Sequence, residues 1–445
     1  MAHSFLYVIV CLLTGITIIV LLTAKYRVHP FFALILACFV VGLTIGFPIA
    51  VVITTIKDGF GNIMKSLGLI IVLGTTLGIL LEHTGSTAVM ASFIMKKTGE
   101  KYAALAMSIT GFIVGLPIFC DSGYIVLSGL NNSIAKRTAV SIVAMSVSLA
   151  TGLYSVHCLI PPHPGAAAAA GIIGVDIGRI ILIGILVAIP AAVVGYIWAN
   201  FAGKKVAVAP AEEDISTGIK KITSQKPSVI KAFLPVLIPI AFIALKSFLV
   251  VDKNVTNEWI NIFLSLGDPV IALSIGVLLA LNCKQGWNKH SLSTLLHNSV
   301  EKAGGILVII GAGGAFGAVL AATKIGEHFS ASLSLSTLGI LFPFLLAFIL
   351  KTAQGSSTVA IITSASIVLP VLPSLGLASE NGKLLCVLAM GAGSMMISHA
   401  NDAYFWVIAK FSGLEMKAML KVYSVATILM GLTTLLMVYI LSHLL

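Results

Sequence analysis

Charge is what this chain of 445 residues has least of: Asp, Glu, Lys and Arg make up 10% of it against 58% hydrophobic residues. Soluble domains carry roughly a quarter charged residues. With a mean hydropathy of +1.08, a water-soluble fold is excluded and a bilayer is the natural solvent. Acid is scarcer than base, 16 residues against 27, for a net charge of +11. In a soluble protein that excess would suggest a nucleic-acid partner. Here the basic residues sit between apolar runs, at Lys96, Lys97 and Lys101, at Lys136 and Arg137, and at Lys204 and Lys205. The basic bias of inner-membrane loops accounts for them, and no nucleic acid is implied. Cysteine is sparse too. Cys11, Cys38, Cys120, Cys158, Cys283 and Cys386 lie in apolar segments or beside breaks in them, and none forms a CxxC. Neither a disulfide framework nor a zinc site is indicated. HExxH, Gly-x-Ser-x-Gly and Cys/His sets with metal spacing are also missing. A membrane-embedded enzyme therefore has little to stand on, and no metal or cofactor is called for.

What is present is a series of apolar runs long enough to cross a bilayer, among them 5–23, 30–47, 66–82, 178–201, 229–250, 304–321 and 422–443. The first ends at Lys25 and Arg27 with no small-residue cleavage site, which reads as a retained span rather than a signal peptide. The chain also repeats itself. His29-Pro30-Phe-Phe-Ala-Leu returns as Asp268-Pro269-Val-Ile-Ala-Leu, and Ile71-Val-Leu-Gly74 returns as Val308-Ile-Ile-Gly311. Ser155-Val156-His157, with the Pro161-Pro162-His163-Pro164 that follows, returns as Ile397-Ser398-His399-Ala400-Asn401-Asp402. The offsets are 239 from Pro30 to Pro269, 237 from Gly74 to Gly311 and 242 from His157 to His399. Related halves in a membrane protein point to a transporter with its site between them.

Loop charges give the relative orientation of the halves. Lys25 and Arg27 are basic, whereas the equivalent loop holds Asp252, Lys253, Glu258 and Asp268. Lys96, Lys97, Glu100 and Lys101 are net basic, whereas Lys324 and Glu327 cancel; Lys136 and Arg137 correspond to a loop with Glu380 and Lys383. Related segments thus face opposite sides of the membrane. The expectation is an all-α polytopic membrane protein of two inverted repeats, each with about five spanning segments plus a re-entrant hairpin and a broken helix. Residues 1–202 form the first repeat and 229–445 the second. Residues 203–228, with Glu212, Glu213, Asp214 and five lysines, form a cytoplasmic linker, and both termini lie outside.

Each half has two apolar runs interrupted at membrane depth. The hairpin tips are Gly115-Leu-Pro117-Ile-Phe-Cys120-Asp121-Ser122-Gly123 and Lys351-Thr352-Ala-Gln354-Gly355-Ser356-Ser357-Thr358. The helix breaks are His157 to Gly165 and Ser398-His399-Ala-Asn401-Asp402. Broken backbone survives in a bilayer only where protein or a water-filled cavity covers it, and the helix N-termini it exposes attract anions. Four such breaks can surround one anion site. Ser122, Ser356, Ser357, Thr358, Ser398 and Asn401 supply neutral donors suited to a hydroxylated carboxylate. Taken singly, Pro-Pro-His-Pro also reads as a surface turn and Gln354-Gly-Ser-Ser-Thr as small-residue helix packing. The Ala166–Ala170 run reads as packing.

Asp121, His157, His163, His399 and Asp402 fall at or beside these breaks. Ionisable residues at such depth suggest function. The aspartates could contact substrate or carry a coupling proton, or else cap a helix. The histidines could titrate, or hold a break open by bonding a nearby carbonyl. Lys351 either attracts an anion or snorkels, Glu82 and His83 read as a solvated span end, and 50–65 and 286–300 read as interfacial amphipathic helices.

With these residues in view, the chain resembles the gluconate permease family, which includes D-serine permeases, within the ion transporter superfamily. The resemblance runs end to end. It is strongest at Val156-His157-Cys-Leu-Ile-Pro-Pro-His163-Pro164-Gly, at Leu307-Val-Ile-Ile-Gly-Ala-Gly-Gly-Ala-Phe316, at Gly355-Ser-Ser-Thr-Val-Ala-Ile and at Ser398-His399-Ala-Asn401-Asp402-Ala-Tyr-Phe405-Trp406. The last is similar to the gluconate branch more than to the D-serine branch. The resemblance implies proton-coupled uptake of a sugar acid or similar small hydroxy acid across the bacterial inner membrane, two re-entrant hairpins, a homodimer and an elevator motion. Family members tend to have an acidic residue followed by apolar-Gly at the first tip, whereas this chain has Cys120-Asp121-Ser122-Gly123. The expected substrate contacts are Asp121, Ser122, Gly123, His157, His163, Gln354, Gly355, Ser356, Ser357, Thr358, Ser398, His399 and Asn401, with Asp121 and Asp402 as proton carriers. A sodium-coupled carrier, a D-serine or D-glycerate transporter and an anion channel are the rival readings.

Overall fold

Because the bilayer offers no hydrogen-bond partner, a chain of this composition satisfies its backbone within helices, and the computed structural model is helical throughout its described residues, 5–138, 140–206, 227–249, 264–284, 286–323 and 337–445. The linker charges Glu212, Glu213 and Asp214 and the loop charges Asp252, Lys253, Glu258, Lys324 and Glu327 lie outside the described residues. Among the described residues, six helical stretches are long and apolar enough to span a membrane: Ile49–His83, Ile142–Ile173, Ile177–Gly203, Val229–Lys246, Lys289–Ala322 and Met416–Leu444.

The first half runs α1 (Phe5–Val20), α2 (Pro30–Thr44), α3 (Ile49–His83), α4 (Ser86–Thr98), α5 (Ala103–Gly115), α6 (Cys120–Arg137), α7 (Ile142–Leu159), α8 (Pro164–Ile173) and α9 (Ile177–Gly203). The second runs α10 (Val229–Leu249), α11 (Pro269–Leu281), α12 (Lys289–Ala322), α13 (Leu341–Gln354), α14 (Ser357–Val368), α15 (Glu380–Met395), α16 (Ala403–Ser412), α17 (Met416–Met419) and α18 (Val425–Leu444). His29 and Asp268, the residues before the paired prolines, both cap their helices, accepting from the backbone N–H groups of Phe31 and Val270. Proline at the first helical position follows a cap naturally, since its missing N–H would have no intrahelical partner.

Two sequence expectations change. Segments 50–65 and 286–300 are not separate interfacial helices; each is the N-terminal part of a longer helix, α3 of 35 residues and α12 of 34. No proline or turn separates the amphipathic stretch from the apolar run in either case, so the helix propagates through the change of pattern. At 1.5 Å per residue both exceed about 50 Å, longer than the ~30 Å hydrocarbon core. They pack against each other, with α3 also meeting α11 and α12 meeting α2. His83 is also not a simple solvated end, since it stacks on Trp287 at 5.7 Å and its Nε2 lies 3.1 Å from Lys284 Nζ.

The remaining helices hold most of the site. Hairpin α5/α6 packs on α7, hairpin α13/α14 packs on α15, and α7 and α15 meet each other. Each hairpin's second arm reaches across to the other half: α14 lies against α8 and α6 against α16. Glycine permits close approach between α5 and α7, because a Cβ on Gly152 of α7 would meet the Ser108 carbonyl oxygen of α5 at 2.3 Å. Ala166 through Ala170, on α8, are fully buried, as packing residues should be.

Candidate functional site

Four helices begin at one cavity of about 390 Å³: α6, α8, α14 and α16, whose first-turn residues Cys120, Pro164, Ser357 and Ala403 all line it. Each follows a non-helical residue, respectively Phe119, His163, Ser356 and Asp402. The first N–H groups of a helix have no intrahelical partner and carry the positive end of its dipole. The two ends from the second half are partly satisfied by side chains. Ser356 Oγ accepts from Val359 N–H at 3.3 Å and Asp402 Oδ1 from Tyr404 N–H at 2.9 Å. Phe119 and His163 offer no such cap, so α6 and α8 present bare ends.

The residues expected from sequence divide clearly. Asp121, Ser122, His157, Gln354, Gly355, Ser356, Ser357, Thr358, Asn401 and Asp402 line the cavity. Gly123, His163, Ser398 and His399 stand behind it. His163 Nε2 lies 2.6 Å from the Gly115 carbonyl, fastening the first break to its hairpin. His399 Nε2 and Asn401 Nδ2 both approach the Thr352 carbonyl, at 3.3 and 2.8 Å, fastening the second break to its own. Ser398 donates to Asp402 Oδ2 and takes a hydrogen bond from Ser424 at its carbonyl. The His163 and His399 contacts match the break-holding alternative stated for the histidines.

Lys351 does neither thing expected of it. It is 1% exposed, its Nζ donates to Asp402 Oδ2 at 2.6 Å and to the Gly355 carbonyl, and it reaches neither lipid headgroups nor the cavity. The cause is topological. The last turn of α13 and the start of α16 lie side by side, so burial of one charge is met by the other. Asp402 therefore caps α16 with one oxygen and is held by Lys351 and Ser398 with the other. Asp121 differs, being exposed and lining the cavity, with the Cys120 Sγ at 4.0 Å.

Gly355 is required twice over at the second tip. Its φ of +81° is left-handed, and a Cβ there would lie 2.0 Å from the Asn401 carbonyl oxygen. Buried polar atoms remain unpartnered at the cavity wall: both amide atoms of Gln354, and His157 Nδ1.

Sequence reading missed Lys302, Tyr154 and Tyr404, and placed Phe119 and Cys120 at the first tip without counting them as contacts; all five line the cavity. Lys302 matters most. It projects from α12, donates to Ser122 Oγ at 2.9 Å, and sits 4.9 Å above the Phe119 ring, placing a full positive charge beside the bare end of α6. Nothing local marks it among the charged residues of 286–302; only the tertiary fold brings it to the first hairpin. Tyr154 and Tyr404 stack at 5.7 Å and cross-link the halves, the first donating to the Ser394 carbonyl and the second to the Ala150 carbonyl. Their positions, one turn before His157 and two residues after Asp402, were the available signal.

A membrane-spanning helical body with interrupted helices around an internal polar cavity defines a transport protein, not an enzyme. Comparison with known proteins agrees and is more specific: the GntP family permease model matches residues 7–444, and the chain belongs to that family. It is 34% identical over 453 residues to a gluconate permease of Pseudomonas aeruginosa, covering 99% of each. It is 31% identical over 449 residues to the D-serine transporter DsdX of Escherichia coli, again covering 99% of each. The fold resembles the YdaH transporter of Alcanivorax borkumensis with a TM-score of 0.64 at 15% identity, over 93% of this chain and 98% of that one. The protein is thus a multi-pass permease of the bacterial inner membrane.

Proposed function

We propose that this permease is a proton-coupled symporter for gluconate or a related small sugar acid. The observation that carries the reading is the convergence of four helix N-termini and Lys302 on one cavity. Dipole ends and a cation stabilise a carboxylate, while Ser122, Gln354, Ser356, Ser357, Thr358 and Asn401 offer neutral partners for hydroxyls. The gluconate permease relatives support the same substrate class.

Asp121 is the better-placed proton carrier. Its carboxylate faces the cavity, whereas Asp402 is engaged by Lys351, Ser398 and the start of α16. Proton uptake at Asp121 would reduce repulsion between its carboxylate and an arriving carboxylate substrate, which couples the two.

The remaining architecture is part of this proposal. Residues 1–202 and 229–445 act as inverted repeats joined by the linker 203–228. The recurring order of paired helix, long helix, hairpin, broken helix and span supports this. The hairpins and broken helices move as a unit against α3 and α12 in an elevator step, within a homodimer.

A D-serine substrate is the second reading, favoured by the DsdX relative and by an anionic Asp121 able to receive an ammonium group. Uptake of labelled gluconate into proteoliposomes, with proton and sodium gradients imposed independently and D-serine as competitor, tests the proposal. Proton-driven uptake supports it; uptake driven by sodium alone overturns the coupling; saturable D-serine uptake without gluconate uptake overturns the substrate.

A further inference from the structure

A second polar cavity lies far from the first in the fold, at the open base of hairpin α5/α6. It holds about 740 Å³ between that hairpin and the end of α9. Lys101, Arg137 and Lys204 line it with Tyr196, Asn200 and Thr138. Among the described residues lining it, Glu100 alone opposes them, and it is taken up by Arg137 at 3.2 Å.

The ordinary role of such cations is to offset the carbonyl ends of helices, and Arg137 and Lys204 do follow α6 and α9 to their ends. That role accounts for only part of the pocket. Among the described residues, neither the Lys101 nor the Lys204 ammonium donates to a carbonyl or pairs with a carboxylate, and Thr138 Oγ1 is buried without a partner. The Lys101 ammonium lies 5.6 Å from the Tyr102 ring centroid, and it and Lys204 border a space large enough for a phosphate-bearing group.

The surroundings say what bears the phosphate. Helix α9 has 27 residues, about 40 Å at 1.5 Å per residue, so Lys204 just beyond its end sits at headgroup level when α9 spans. Below it, Ile189, Val193, Ile197 and Phe201 form an exposed apolar stripe at a spacing of four residues, beside the face of α9 whose Tyr196, Asn200 and Lys204 line the pocket. Tyr102, also exposed, marks the interface beside it. A basic pocket at the head of a lipid-facing stripe suits an anionic phospholipid.

We infer that this cavity binds the headgroup of an anionic phospholipid whose acyl chains lie along α9, fastening the base of the first hairpin to that helix. The site is independent of the transported substrate.

The test uses the full-length protein in neutral detergent, with thermal unfolding followed as phosphatidylglycerol, phosphatidylethanolamine or inorganic phosphate is added. Phosphatidylglycerol should raise Tm, and phosphatidylethanolamine and phosphate should not. The double variant Lys101→Gln/Lys204→Gln should lose the shift, while Arg179→Gln/Lys383→Gln, which removes equal charge at the opposite end of α9, should keep it. Native mass spectrometry of the wild-type protein should show phosphatidylglycerol retained in preference to phosphatidylethanolamine, a result that stands even if the double variant fails to fold. Equal shifts from both lipids, a full shift from phosphate alone, or equal loss in both double variants would overturn the inference.

Discussion

The buried pair Lys351–Asp402 shows how differently two aspartates of one site can be used. Removing one member of such a pair leaves the other charged and unpartnered, at a cost of about 3–5 kcal/mol. Asp402→Asn should therefore lower thermal stability sharply, and Lys351→Met combined with Asp402→Asn should recover much of the loss, as thermal unfolding of the three proteins would show. Asp121→Asn should leave stability nearly unchanged, because Asp121 faces the cavity rather than a buried partner. It should abolish uptake driven by a proton gradient while preserving exchange of substrate across the membrane at equal concentrations. Loss of exchange together with loss of driven uptake would mean that Asp121 binds substrate instead. Asp121, Asp402 and the Gly355-Ser-Ser-Thr tip were legible in the sequence because polar residues interrupt long apolar runs there. The Lys351–Asp402 bond and the reach of Lys302 to Ser122 were not, because the partners are 51 and 180 residues apart and meet only once the hairpins are packed.

At the scale of elements, the site consists of helix ends held at fixed places. Each break is tied to the hairpin of its own half, through His163 to Gly115 and through Asn401 to Thr352, while α6 and α14 each pack against the other half. The tips are therefore intolerant of bulk. Gly355→Ala adds a Cβ where the Asn401 carbonyl already stands and imposes a left-handed φ on an L side chain. It should abolish transport while membrane insertion and expression remain near wild type, a split that whole-cell uptake and immunoblotting would resolve. The breaks were legible from Pro161, Pro162 and Pro164 and from the repeat partner of that segment. The continuity of α3 and α12 was not. Hydrophobic patterning changes partway along each, yet helix propagation needs only the absence of a breaker, and segments 49–83 and 289–322 contain no proline.

For the whole molecule, the testable features are membrane topology and substrate charge. If the halves are inverted, a cysteine replacing Lys136 reacts with an impermeant thiol reagent only from the cytoplasm, and one replacing Ala378 only from outside. The six native cysteines are buried and should contribute little labelling. Labelling of both positions from one side would refute the inverted arrangement. The proposed repeat rests on three sequence anchors that keep nearly one offset; the meeting of both halves at a single cavity emerged only from the fold. The central claim is that the cavity recognises a small carboxylate through helix ends and Lys302. Equilibrium binding to the purified protein tests it most directly, with gluconate set against uncharged glucitol and D-serine against D-serinamide, in the wild type and in Lys302→Gln. One carboxylate should bind, its uncharged counterpart should fail to compete, and the variant should bind that carboxylate about 10- to 100-fold more weakly, the worth of a hydrogen bond to a charged group. Equal competition by the uncharged compound, with affinity unchanged in the variant, would contradict the account.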